Sequence, residues 1–101
     1  MRLDKEGFLV DLADWTNATA LELAKREHVE LTDEHWAVIA VLRDFYQATG
    51  VSPSMRPFVK LVGQRLGAEK GTSIYLLSLF PGSPAKLAAK LAGLPRPTNC
   101  L

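Results

Sequence analysis

The sequence contains a single cysteine, Cys100, and only two histidines, His28 and His35. One cysteine excludes a disulfide within the chain. The cysteine and the two histidines are too scattered to form a recognisable zinc-binding pattern, so we expect no metal site. A glycine-rich phosphate loop, a Cys-x-x-Cys pair and a Ser-His-Asp order are also missing, and no cofactor is indicated. These absences leave no basis for a stand-alone catalytic centre.

Long apolar runs are missing as well. No stretch approaches the roughly 18 apolar residues that a membrane-spanning helix needs, although 48% of the 101 residues are hydrophobic and 23% are charged. The first six residues carry acids where a secretory signal would carry its apolar stretch. We therefore expect one globular domain in the cytoplasm, with no membrane contact.

Acidic side chains are scarce in the second half of the chain. Residues 1–47 contain five basic and ten acidic side chains, whereas residues 48–101 contain seven basic ones and Glu69 alone. This asymmetry fits a second half that faces an anionic partner, either an acidic protein surface or nucleic acid. It fits equally well two halves that neutralise each other across the fold.

The spacing of apolar and capping residues predicts five helices after a short N-terminal β-hairpin. The hairpin is indicated by a turn at residues 4–7 followed by the β-prone Phe8-Leu9-Val10. The helices follow from N-cap residues, three- and four-residue apolar spacing, and terminating glycine or proline. Their predicted extents are from Thr16 or Asn17 to His28, from Thr32 to Ala48, from Ser52 or Ser54 to Gly67, from Ser73 to Phe80, and from Ser83 to Gly93.

The second predicted helix is apolar around most of its circumference, which predicts the central, buried helix of a small bundle. Its apolar residues are Trp36, Val38, Ile39, Ala40, Val41, Leu42, Phe45 and Tyr46. The fold class is thus mainly α. After Leu94 two prolines prevent a helix, so we expect a bundle at residues 1–94 and a mobile C-terminal arm at residues 95–101.

Cys100 is predicted to lie on this arm. Six extended residues from Leu94 allow its sulfur to travel up to ~20 Å from the last helix, which would let it visit the active site of a partner. No activating base is evident nearby in the sequence, so the thiol is better suited to receive sulfur from a donor enzyme than to act alone as a nucleophile. The alternative is an incidental cysteine in a frayed terminus.

Several ordered segments resemble the DsrC/TusE/DsvC family of sulfur-carrier proteins. The resemblance spans essentially the whole chain and includes a cysteine in the penultimate position. The matching segments are Glu6-Gly7-Phe8-Leu9, Leu31-Thr32 with His35-Trp36, Leu42-Arg43-Asp44-Phe45-Tyr46, Ser52-Pro53-Ser54-Met55-Arg56, Leu79-Phe80-Pro81, Ala92-Gly93-Leu94-Pro95-Arg96-Pro97 and Cys100-Leu101.

The resemblance implies a helical bundle with a mobile arm whose Cys100 carries sulfur as a persulfide. Family members of the sulfite-reductase branch have a second cysteine upstream, at the position that Ala89 occupies here. The chain therefore resembles the TusE branch, whose members receive sulfur from a TusBCD-type complex and pass it toward a tRNA thiouridylase. We expect partner contacts from four basic residues of the second half: Arg56, Lys60, Lys90 and Arg96.

Two other functions remain open at this point. One is an accessory, gamma-type protein of a dissimilatory sulfite reductase. The other is a DNA-binding regulator, because the second and third helices could form a helix-turn-helix that exposes Arg56, Lys60 and Arg65.

Overall fold

The computed structural model of the chain describes residues 1–98 and contains five α-helices in that range. Short 3-10 turns precede α1 and α4. No helix of this part of the chain is long and apolar enough to cross a membrane. The helices are α1 (Asn17–Arg26), α2 (Asp33–Thr49), α3 (Met55–Leu66), α4 (Ser73–Leu79) and α5 (Pro84–Leu91), and the 3-10 turns are Leu12–Asp14 and Ala68–Lys70.

The helices begin close to where their capping residues predicted. Thr16 Oγ1 accepts a hydrogen bond from the Thr19 N–H at 3.3 Å, and the Thr16 N–H donates to Thr19 Oγ1 at 3.1 Å. At the start of α4, the Oγ1 of Thr72, one residue ahead of the predicted start at Ser73, accepts a hydrogen bond from the Tyr75 N–H. Pro84 occupies the first turn of α5, where its missing N–H costs nothing. The five predicted helices are confirmed. Side-chain caps hold the starts of α1 and α4, whereas Ser54 makes no side-chain capping hydrogen bond at the start of α3.

His35 joins the start of α2 to the end of α4. Its Nδ1 accepts from the Thr32 N–H at 3.1 Å, and its Nε2 lies 2.7 Å from the Leu79 carbonyl oxygen. A carbonyl can only accept, so Nε2 carries the proton and the ring is the neutral Nε2–H tautomer. The ring is buried and meets Phe80 edge-on. His35 is thus a capping and packing residue.

The centre of the bundle is α5 and not α2, contrary to the sequence prediction. On α2, Ala40 is exposed and Trp36 is only partly buried, whereas α5 contacts each of the four other helices. The small side chains of α5 let its neighbours approach closely, which apolar composition alone did not reveal. The buried residues of α5 and of the segment after it are Pro84, Ala85, Ala88, Ala89, Leu91, Ala92, Gly93 and Leu94.

The predicted N-terminal β-hairpin is wrong. Residues 1–98 contain no strand, and the only pairing at this end is an isolated antiparallel bridge between Leu3 and Leu9. Asp4 Oδ1 accepts the N–H groups of Glu6 and Phe8, which closes a tight turn with Gly7 at φ +89°. Asp11 then caps a 3-10 turn, so the chain leaves the pairing before a ladder can grow.

Candidate functional site at the base of the C-terminal arm

The predicted carrier residue, Cys100, lies outside the described residues. The structure does describe residues 94–98, the segment that leads to it, which we call the arm base. The residues that hold the arm base determine where on the bundle the chain lies just ahead of the cysteine-bearing segment.

Two side chains from the first half of the chain hold the end of α5, just before the arm base. Trp15 Nε1 donates to the Leu91 carbonyl at 3.0 Å, and Arg43 donates to the Ala92 carbonyl at 2.7 Å. These bonds satisfy carbonyls that a helix terminus leaves without partners. The Arg43 guanidinium also stacks 3.9 Å from the Trp15 ring centroid, and burial lowers its pKa.

Gly93 makes this arrangement possible. Its φ of +72° lies in the left-handed region, and a Cβ at this position would collide with the Trp15 side chain. Glycine is therefore required twice over, for its backbone conformation and for the approach of the indole ring.

The arm base itself contacts the bundle. The Ser52 hydroxyl, just ahead of α3, donates to the Pro95 carbonyl at 2.6 Å, and Ser52 is one of only two buried polar residues among residues 1–98. Pro97 is also buried. The described arm base thus lies against the bundle as far as Pro97.

Arg96 binds the acidic N-terminal turn. Its guanidinium lies 2.7 Å from a Glu6 carboxylate oxygen, 3.7 Å from one of Asp4, and 5.4 Å from the centroid of the buried Phe8 ring. Hydrogen bonding from the Phe8 N–H, together with that from Glu6 and the charge of Arg96, outweighs burial and lowers the pKa of Asp4. Asp4 therefore remains ionised and available to Arg96 well into the acidic range.

Two lysines of α5 complete the cluster of charges around Phe8. Lys90 lies 3.2 Å from Glu27 at the end of α1 and 5.2 Å from the Phe8 centroid, with its side chain only 13% exposed. Lys86 lies 3.3 Å from the second carboxylate oxygen of Glu6. We call the resulting group the ion-pair cluster; its members are Asp4, Glu6, Glu27, Lys86, Lys90 and Arg96.

The structure divides the four predicted partner-binding residues into two pairs. Lys90 and Arg96 are both engaged in the ion-pair cluster. Arg56 and Lys60 lie one turn apart on α3, are exposed, and have no ion pair within residues 1–98. An available cationic surface thus exists on α3.

Most of the charge asymmetry is neutralised inside the fold. Basic residues of the second half pair with acidic residues of the first half in every inter-element ion pair of the described chain. These pairs are Arg65–Asp44, Lys70–Glu34, Lys86–Glu6, Lys90–Glu27, and Arg96 with both Asp4 and Glu6.

Comparisons with known proteins agree with this architecture. The family model described as "DsrC like protein" matches residues 1–101. The chain belongs to the DsrC-like family. A relative called "Sulfurtransferase TusE homolog" in Haemophilus influenzae is 51% identical over 97% of this chain and 90% of its own length. The protein called "Sulfurtransferase TusE" in Photorhabdus laumondii is 49% identical over 97% of this chain and 88% of its own length.

Solved structures of DsrC-like proteins share the fold. The NMR structure of Allochromatium vinosum DsrC has a TM-score of 0.90 and 48% identity, covering 98% of this chain and 88% of that one. The crystal structure of the oxidized gamma-subunit of the dissimilatory sulfite reductase (DsrC) from Archaeoglobus fulgidus has a TM-score of 0.86 and 40% identity. It covers 100% of this chain and 92% of that chain.

In this DsrC-like chain, Ala89 occupies the position where the resemblance places a second cysteine. Ala89 is only 1% exposed, on the central helix α5. The chain has no other cysteine than Cys100. A disulfide between arm and bundle is therefore chemically excluded here.

Sequence reasoning missed the residues that hold the arm base. Ser52 and Arg43 fall in segments that carry the resemblance, but their tertiary roles were not inferred. Asp4 and Glu6 were placed in a turn, and Glu6 also in a segment of the resemblance, but neither was identified as a partner of Arg96. The sequence offers only two acids near its start and an arginine near its end as a signal. A contact between residues 90 positions apart cannot be derived from such spacing.

Proposed function

We propose that this DsrC-like protein is a sulfur-relay carrier whose Cys100 accepts sulfur from one protein and delivers it to another. Near-full-length similarity to proteins called sulfurtransferase TusE, at 49–51% identity, carries this proposal. The penultimate position of Cys100, beyond an arm base that is free of helix, supports its role as the carrier residue.

The transfer needs no oxidant. The Cys100 thiolate attacks the outer sulfur of a donor persulfide, the donor S–S bond breaks, and the donor thiolate leaves with its electron pair. A new S–S bond holds the sulfur on Cys100 as a persulfide. An acceptor thiolate then attacks that outer sulfur, and the S–S bond to Cys100 breaks. Cys100 leaves as the thiolate, and the sulfur is now held by the acceptor.

The partners in this proposal are a TusBCD-type donor complex and a tRNA thiouridylase, in the cytoplasm. Arg56 and Lys60 offer them a docking surface, because these cations are exposed and unpaired within the described chain. Exposed charges of this kind mainly accelerate encounter with an acidic surface. Lys90 and Arg96 would have to exchange their internal carboxylates before contacting a partner.

A second candidate is the accessory role in sulfite reduction. The Archaeoglobus fulgidus structure, described as a gamma-subunit of dissimilatory sulfite reductase, favours it through 40% identity over the whole chain. Buried Ala89 weighs against a redox role, since the arm has no second thiol to pair with. Binding of a sulfite reductase and no loading from a persulfide donor would make this candidate the better one.

The deciding experiment is incubation with a persulfide-bearing sulfurtransferase, followed by mass spectrometry of the intact protein. We expect the mass of one sulfur atom on the wild type and none on Cys100→Ser, with an unchanged circular dichroism spectrum. Loading of Cys100→Ser, or a wild type that never loads, would disprove the carrier role. Retardation of duplex DNA at low salt would favour the regulatory alternative instead.

Docking is tested with Arg56→Gln/Lys60→Gln in the same assay. The double variant should slow loading several-fold at low salt, and the difference should shrink as salt is raised. Lys25→Gln is a matched control, because Lys25 is an exposed cation without an ion pair in the described chain but lies on α1. Equal slowing by both variants would mean that α3 has no special role.

A further inference from the structure

The contacts of Arg96 bear on how far the cysteine-bearing segment can extend. Pro97 is the last buried residue of the described arm base, and Cys100 follows it by three positions, which an extended chain spans in about 10 Å. If the chain is released from the bundle after Leu94, the six positions to Cys100 span about 20 Å. The contacts at residues 95–97 therefore control about half of the reach available to Cys100.

Arg96 is the one charged residue of the described arm base, and its partners lie on a different segment. Glu6 and Asp4 sit on a turn that is itself closed by hydrogen bonds from the Glu6 and Phe8 N–H groups to Asp4. The turn is anchored in the core by Phe8, which is 2% exposed. The two carboxylates are therefore held in fixed positions, where they bind the Arg96 guanidinium of the arm base.

We propose that Arg96 and the acidic turn form a latch that sets the reach of Cys100. Closed, the latch keeps the arm base on the bundle; open, it releases residues 95–98 together with the segment beyond. Arg96, Asp4 and Glu6 are then positioning residues for the carrier thiol. The biological meaning of the latch rests on the proposed function, but its existence does not.

The exposure of the contacts indicates a latch that opens easily. The Arg96 side chain is 48% exposed and its two carboxylate partners are 40–41% exposed. Ion pairs with this much access to water are weak and are screened by salt, so closed and open states differ little in free energy. A contact of that strength can be exchanged for contacts with a partner.

The test measures a distance and uses no sulfur chemistry. A Cys100→Ser background carries spin labels on Gln64→Cys, exposed on α3, and on Leu101→Cys, and pulsed electron paramagnetic resonance gives the distance distribution. Because the carrier thiol is absent, a failed latch and a failed carrier role remain distinguishable. Asp4→Asn keeps an amide oxygen for the N–H groups of the turn, so this variant removes charge without removing the turn.

Arg96→Gln and Asp4→Asn/Glu6→Gln should each raise the population of long distances roughly two- to fivefold. Arg96→Lys should restore part of the short-distance population, because it keeps the charge and loses the bidentate fork. High salt should lengthen the distances in the parent protein but leave Arg96→Gln unchanged.

Asp44→Asn is the matched control, since it removes an exposed pair of 2.9 Å with Arg65, between α2 and α3. It should leave the distances as they are. The latch is disproved if Arg96→Gln and Asp4→Asn/Glu6→Gln give the same distribution as Asp44→Asn, or if salt changes Arg96→Gln as much as the parent.

Discussion

Tyr75 connects α4 to the first turn of α2 through one short contact. Its hydroxyl donates to a Glu34 carboxylate oxygen at 2.6 Å, and that same oxygen lies 3.8 Å from Lys70. Burial, the hydrogen bond to Glu34 and the negative charge of Glu34 raise the pKa of Tyr75 to about 12. The folded protein thus holds the phenol proton more tightly than the unfolded chain does.

This shift predicts a specific alkaline response. The stabilisation from Tyr75 is complete below the ordinary tyrosine pKa of 10.0 and is lost as the pH rises from there toward about 12. An absorbance titration of the tyrosines should show a transition near pH 12 that Tyr75→Phe removes. Tyr46→Phe is the control and should keep it; a transition that survives Tyr75→Phe would refute the assignment.

At the scale of elements, α3 and the 3-10 turn Ala68–Lys70 meet through two glycines. A Cβ on Gly71 would lie 2.8 Å from the Gly63 nitrogen and 3.0 Å from the Val59 carbonyl oxygen, both backbone atoms. Backbone cannot move aside as a flexible side chain can. The return of the chain from α3 toward α4 therefore requires glycine at position 71.

Gly71→Ala should lower the free energy of unfolding by about 2–3 kcal/mol, as overpacking against fixed atoms does. Gly63→Ala is the matched control, because its Cβ would contact only the Gly71 Cα at 3.3 Å and alanine favours the helix. Urea denaturation of the two variants checks the difference. Equal losses would mean that position 71 has no stricter need for glycine than position 63.

At the scale of the whole molecule, the fold brings basic residues of the second half of the chain next to acidic residues of the first half. The pairs differ in burial, and burial decides how much each contributes. Lys90 is 13% exposed and is the principal ionic partner of Glu27, whereas Lys86 is 42% exposed and shares Glu6 with Arg96.

Lys90→Gln should therefore destabilise the protein by about 1–2 kcal/mol, since it leaves the half-buried Glu27 without its cation. Lys86→Gln should change stability by less than about 0.5 kcal/mol, because Arg96 still neutralises Glu6. Thermal unfolding of both variants at one salt concentration makes the comparison. A Lys86 effect as large as that of Lys90 would contradict this ranking by burial.

The sequence by itself determined the five helices of the protein, although not the conformation of its N-terminal segment. Thr16, Thr32 and Thr72 precede the helices that they begin, and Pro84 starts α5 as proline does in a first turn. Capping and helical spacing act within a few residues, so they can be read without a fold. The family resemblance, also carried by sequence, indicated the carrier role that the TusE relatives support.

Only the tertiary structure decided which helix is central and what holds the arm base. Alanines at 85, 88 and 89 look featureless in sequence, yet their small size lets four helices close around α5. Arg96 pairs with Glu6, which lies 90 residues earlier in the chain, and the Ser52 hydroxyl donates to the Pro95 carbonyl, 43 residues later. Such contacts depend on the packing of the whole core, and packing is a property of all elements together.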